Sequence, residues 1–87
     1  MVKQRTTIRN TTGLHLRPAG LFCKTAMQFK CRVTFQHKDT TANAKSVLSV
    51  LGACIKSGDE IELICEGEDE EAALKEMLKI IEDGLGE

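Results

Sequence analysis

The segment Gly13-Leu14-His15-Leu16-Arg17-Pro18-Ala19 sets three chemically capable features side by side. His15 offers an imidazole, which is a nucleophile when neutral. Arg17 offers a guanidinium whose forked donors match phosphate oxygens. Pro18 marks a helix start, because its ring fixes a helical φ and its missing N–H is no loss in the first turn. A helix start carries amide N–H groups without intrahelical acceptors and the positive end of the dipole. Both favour an anion. Pro18 has no N–H, so the amides of Leu16 and Arg17 are the nearer donors. These residues describe a histidine that takes a phosphoryl group with donors waiting. The other histidine, His37, sits at a strand end and reads as an ordinary exposed residue.

The elements around this segment follow from periodicity. Residues 2–8 read as a strand, and Asn10 to Gly13 as a polar loop. From Pro18 onward Ala19, Phe22, Cys23, Ala26 and Phe29 fall on one helical face. Gly20 lies within that helix at a cost of up to ~1 kcal/mol relative to Ala. Residues 31–37 alternate with Cys31, Val33 and Phe35 on one side, and residues 40–43 can pair back as a hairpin. Ser46 is a good N-cap for a short helix through Leu51 that ends near Gly52. Residues 60–66 form another alternating strand, with Ile61, Leu63 and Cys65 facing in. Glu68 to Glu71 place negative charge at the start of the last helix. Ala73, Leu74, Met77, Leu78, Ile81 and Leu85 form its apolar stripe, and Gly84 and Gly86 are its stop signals. The order is βαββαβα. Short alternating strands suggest an antiparallel sheet with the helices on one face, a two-layer α+β sandwich.

Composition bounds the function. The 87 residues form one domain, expected to span 1–87. A net charge of −1 excludes a bulk polycation for nucleic acid, and three Phe with no Tyr or Trp give no aromatic platform for it. The charge is divided, however. Residues 1–58 carry ten basic residues and one acid, while residues 59–87 carry twelve acids and two lysines. A basic half of this kind can be steered toward an acidic partner surface. No apolar run approaches the ~20 residues that span a membrane, and the charged start Met1 to Arg9 does not read as a signal peptide. A cytoplasmic protein is expected. The four cysteines, Cys23, Cys31, Cys54 and Cys65, lack zinc-site spacing and read as small buried hydrophobes; no metal or cofactor is expected.

GLHLRPA closely resembles the active-site motif of the HPr family, the histidine-containing phosphocarriers of the bacterial phosphoenolpyruvate-dependent sugar phosphotransferase system. The resemblance extends over essentially the whole chain, including Asn43-Ala44-Lys45-Ser46-Val47-Leu48 and the acidic start of the last helix. It implies an open-faced β-sandwich, with a four-stranded antiparallel sheet and three helices on one side. It implies that His15, through Nδ1, accepts a phosphoryl group from phosphorylated enzyme I and passes it to the enzyme IIA component of sugar permeases. The protein is then a stoichiometric carrier rather than an enzyme. Arg17 matches the arginine that contacts the phosphoryl group, with the helix start at Leu16 and Pro18 in support. Ser46 matches a regulatory serine, the target of HPr kinase/phosphorylase, and its phosphorylated form is read by the catabolite control protein CcpA. Gly20, Leu21, Lys24, Val47, Leu48 and Leu51 match the partner interface, with Val47, Leu48 and Leu51 facing out and Val50 facing in. A monomer is expected. The alternatives are a regulatory paralogue acting mainly through Ser46, a carrier of the nitrogen-related branch, and a small-molecule-binding regulatory domain.

Five positions depart from the family pattern. Leu16 stands where Ala is usual, Gly20 where Thr or Ser is usual, and Cys54 where Gly is usual. Leu48 and Leu51 replace common methionines. None removes His15 or Arg17, so the departures bear on partner choice and rate.

Overall fold

Strands that alternate apolar and polar residues have one face to bury, and here they bury it together. The computed structural model describes residues 1–86. Its elements are strand β1 (Val2–Thr7), helix α1 (Leu16–Ala26), strands β2 (Arg32–His37) and β3 (Thr40–Asn43), helix α2 (Val47–Gly52), strand β4 (Glu60–Glu66) and helix α3 (Glu70–Glu82). The four strands make one antiparallel sheet in the order β1-β4-β2-β3. The last strand, β4, thus lies between β1 and β2. Register sets the faces: Val33 stands opposite Cys65 and Phe35 opposite Leu63, all buried. Gln36 and Arg5 both stand opposite Glu62 on the other, polar face.

The helices cover only the apolar face. In α1, Ala19, Phe22, Cys23 and Ala26 recur at helical spacing and are buried. Phe22 meets Phe35 of the sheet edge-to-face, with ring centroids 5.4 Å apart and planes at 84°. In α3, Ala73, Met77 and Ile81 form the buried stripe, while Leu74 and Leu78 lie half-buried at its margins. Each fully buried side chain of this kind contributes about 1.5–3 kcal/mol.

The helix starts differ from expectation by a turn or less, for identifiable reasons. Helix α1 begins at Leu16, two residues before Pro18. Pro18 is therefore the third helical residue, and it is tolerated there because the first turn has no N–H acceptors to miss. Phe29 lies beyond the end of α1 and packs half-buried against the core from the following loop. Helix α3 begins at Glu70. Asp69, its N-cap, makes no cap bond and instead accepts the N–H groups of Lys30 and Cys31 at 2.8 and 2.9 Å. Those two bonds hold its carboxyl below the usual carboxylate range, Lys30 first, against the opposing effect of burial. They also tie α3 to the loop that leads into β2.

Candidate functional site

The backbone that delivers His15 is fixed from behind. Gly13 has φ +68, and a Cβ there would stand 2.5 Å from Ile55 O and 2.8 Å from Lys56 Cα. Only glycine fits so close an approach at a left-handed φ. The next amide, Leu14 N–H, donates to Ile55 O at 3.0 Å, and the Leu14 side chain is buried. Asn10 Nδ2 donates to Gly13 O at 2.7 Å. The loop is therefore rigidly backed by residues 55–56 until it reaches His15.

His15 is the N-cap of α1, with extended backbone (φ −81, ψ −178). Its carbonyl accepts the Ala19 N–H at 2.7 Å, closing the first turn. Its ring makes no cap bond and is exposed. Leu16 and Arg17 follow, both exposed, and Pro18 is buried. No acid lies in the first turn of α1. The helix start thus presents the Leu16 and Arg17 amides, the dipole and a guanidinium to the space beside an accessible imidazole.

Two shallow clefts flank His15. One is lined by Leu14, Leu51, Cys54, Ile55 and Lys56. The other is lined by Thr12, Leu16, Arg17, Pro18, Leu85 and Gly86. The cleft formed with α2 brings Cys54 beside His15, and Cys54 is exposed. This corrects the expectation that all four cysteines are buried: Cys23, Cys31 and Cys65 are, and Cys54 is not. All four thiols are free.

Ser46 caps α2, its hydroxyl accepting the Ser49 N–H at 3.2 Å. The Ser49 hydroxyl in turn accepts the Asn43 N–H at 2.9 Å, which fastens the helix to the end of β3. Val50 faces the core, as expected. Leu48 is 79% exposed and Leu16 is 71% exposed. Val47 and Leu51, expected to face out, are half-buried and pack against the core. A six-residue helix lying flat on the core has no fully outward side except the one Leu48 occupies. On α1, Leu21 is half-buried, and Gly20 and Lys24 are exposed.

The family model for the "PTS HPr component phosphorylation site" matches residues 2–83. The chain belongs to the HPr family. It is 38% identical to the phosphocarrier protein HPr of Streptomyces coelicolor over 88 residues, covering 100% of this chain and 95% of that one. It is 35% identical to the HPr-like protein Crh of Bacillus subtilis, covering 95% of this chain and 98% of that one. A crystal structure of an HPr from Thermoanaerobacter tengcongensis superposes with a TM-score of 0.97 at 37% identity, covering 100% of this chain and 98% of that one. A dimer structure of HPr from the same organism is also similar, with a TM-score of 0.80, 37% identity and 100% of both chains covered.

Two of the chain's departures stand at distinctive places in the HPr fold. Cys54 has φ +54, the left-handed region that glycine enters freely and Cys enters at a cost. Gly20 has nothing within 4 Å of the place its Cβ would take. It leaves bare backbone one helical turn after the protruding Leu16. His37 also departs from its reading as a plain exposed residue. Its side chain is 11% exposed and its Nε2 lies 3.1 Å from Asp59 Oδ2. Sequence spacing carries no signal for this pair, because Asp59 and His37 meet only through sheet register. No helix is long and apolar enough to cross a membrane among the described residues.

Proposed function

We propose that residues 1–87 act as one cytoplasmic phosphocarrier domain in which His15 carries the phosphoryl group. Phosphorylated enzyme I is the donor and enzyme IIA of a sugar permease is the acceptor. The observation that carries the reading is the exposed His15 ring at the start of α1, uncommitted to capping and followed by Arg17. The Nδ1 lone pair of neutral His15 attacks the phosphorus of the donor phosphohistidine. The donor P–N bond breaks, its electron pair returns to the donor ring nitrogen, and that ring takes up a proton from solvent to leave as neutral imidazole. The His15 ring, now carrying the phosphoryl group on Nδ1, releases its Nε2 proton to solvent, so the proton count balances. Arg17 and the Leu16 and Arg17 amides steady the three phosphoryl oxygens, with Pro18 holding the turn. Exposed donors of this kind hold the group loosely, which suits a step that must run onward. Enzyme I and enzyme IIA dock over Leu16, Gly20, Leu21, Lys24 and Leu48, with the margins of Val47 and Leu51. A monomer is the proposed working form.

Ser46 is the proposed regulatory site, modified by HPr kinase/phosphorylase and read by a regulator such as CcpA. A phosphate there adds about −1.5 to −2 charges at a helix start, where the dipole favours it. It changes the surface that partners meet more than the fold. Similarity to Crh favours a second reading, a regulatory paralogue acting mainly through Ser46. The presence of His15 weighs against it, since nothing in the fold requires an imidazole there. Mass spectrometry after incubation with phosphoenolpyruvate and enzyme I decides between them. One acid-labile phosphate that is absent from His15→Ala is the expected result. No gain, with Ser46 still modified by kinase and ATP, would move the conclusion to the paralogue.

A further inference from the structure

The turn that backs His15 is itself held by a carboxylate that the transfer chemistry does not use. Asp59 is half-buried, immediately before β4. Its Oδ2 accepts the Lys56 N–H at 2.9 Å, and its own N–H donates to Lys56 O at 3.0 Å. The turn is thus closed from both ends. Asp59 O accepts the Ile8 N–H at 2.9 Å and Gly58 N–H donates to Ile8 O at 2.8 Å, which anchors the turn beside the end of β1. At its other side the turn offers Ile55 O to Leu14 N–H. Gly13 lies so close to Ile55 and Lys56 that any movement of the turn must be followed by residues 13–14. The next residue is His15. Ile55 and Lys56 also line one of its two clefts.

The carboxylate is clamped from the sheet as well. His37 Nε2 approaches it to 3.1 Å from the end of β2, and the Lys38 ammonium adds a positive field. The Lys56 N–H is the largest of the influences that hold the Asp59 carboxyl below its usual range, against the opposing effect of burial. We propose that Asp59 is a positioning residue for His15, acting through the backbone of Ile55 and Lys56, with His37 as a second clamp on its carboxylate. The rate consequence rests on the carrier reading; the structural consequence does not.

The test compares Asp59→Ala, Asp59→Asn and His37→Gln with the full wild-type chain. Amide hydrogen exchange at Leu14 reports the backing of His15, with the amides of Met77 and Ile81 as reference. Phosphorylation by enzyme I gives kcat and the KM for this chain. In Asp59→Ala, Leu14 exchange is expected to rise about ten-fold while the α3 amides stay unchanged. The kcat is expected to fall about three- to ten-fold with KM nearly constant, because the exposed docking side chains are untouched. Asp59→Asn keeps an acceptor for the Lys56 N–H and should recover most of both, and His37→Gln should give a smaller effect of the same kind. Unchanged Leu14 exchange overturns the proposal. So does a rise shared equally by Met77 and Ile81, which marks general destabilisation, or a Leu14 change with kcat unaltered. If wild type takes no phosphate, the carrier reading fails and the exchange pattern alone decides the positioning role.

Discussion

Replacing Gly13 by Ala places a methyl group 2.5 Å from Ile55 O and 2.8 Å from Lys56 Cα. Both are backbone atoms, and neither can swing aside as the end of a side chain could. The φ of +68 adds strain of about 1–2 kcal/mol for any residue with a Cβ. Relief requires the loop to lift from the turn and give up the Leu14 N–H to Ile55 O bond, a further ~0.5–1.5 kcal/mol. The sum is about 1.5–3.5 kcal/mol. In a domain of this size each kcal/mol moves Tm by about 4–8 °C, so a fall of roughly 6–28 °C is expected.

The chain has no Trp or Tyr, so unfolding is best followed by far-ultraviolet circular dichroism of the three helices. The same exchange at Gly20 is the control. Nothing lies within 4 Å of the added methyl, and the site is inside α1. Ala gains about 0.5–1 kcal/mol there from helix propensity, so Tm should rise. One chemical change thus has opposite signs at two positions. A Gly13→Ala protein melting within about 2 °C of wild type would refute the argument from backbone contact. An equal fall in both variants would show that contact geometry is not what decides.

Three further outcomes are expected. Ser46→Ala loses the acceptor for the Ser49 N–H and about 1 kcal/mol, whereas Ser46→Asp keeps an acceptor and melts near wild type; thermal scans distinguish them. Titration of the native thiols should label Cys54 first, while Cys65, pushed up to about 11 by burial and then by Cys31, should react only on unfolding. Acid should destabilise the fold through Asp59, Asp69 and Glu70, whose carboxyls are held low chiefly by the N–H groups of Lys56, Lys30 and Gly67. A lowered folded value means stability present above the unfolded pKa and lost as pH falls through the folded one, so Tm should drop below about pH 4. Asp69→Asn should shrink that drop, measured as Tm against pH.

The parts of this molecule that depend on periodicity were legible in its sequence. Alternation over 31–37 and 60–66 and the helical spacing of Phe22, Met77 and Ile81 state which face must be buried, and the order βαββαβα follows from them. Ser46 was legible as a cap because its neighbours within one turn are also its partners. Contacts made across the sheet were not legible. Asp69 looks like charge placed for the dipole of α3, yet its oxygens are occupied by Lys30 and Cys31, 39 and 38 residues away. His37 looks exposed until β2 brings it to Asp59. The candidate site divides along the same line. His15, Leu16, Arg17 and Pro18 are contiguous, so the sequence alone places them at one helix start. What fixes that start in space is the 55–59 turn, forty residues on, which backs it through Gly13, where no side chain fits, and through the Leu14 N–H, and lines one cleft beside His15. The motif therefore names the reacting group, but its precision depends as much on the 55–59 turn, which lies outside the motif. Substitutions at Gly13 and Asp59, which leave every motif side chain in place, are accordingly the sharpest probes of how His15 works.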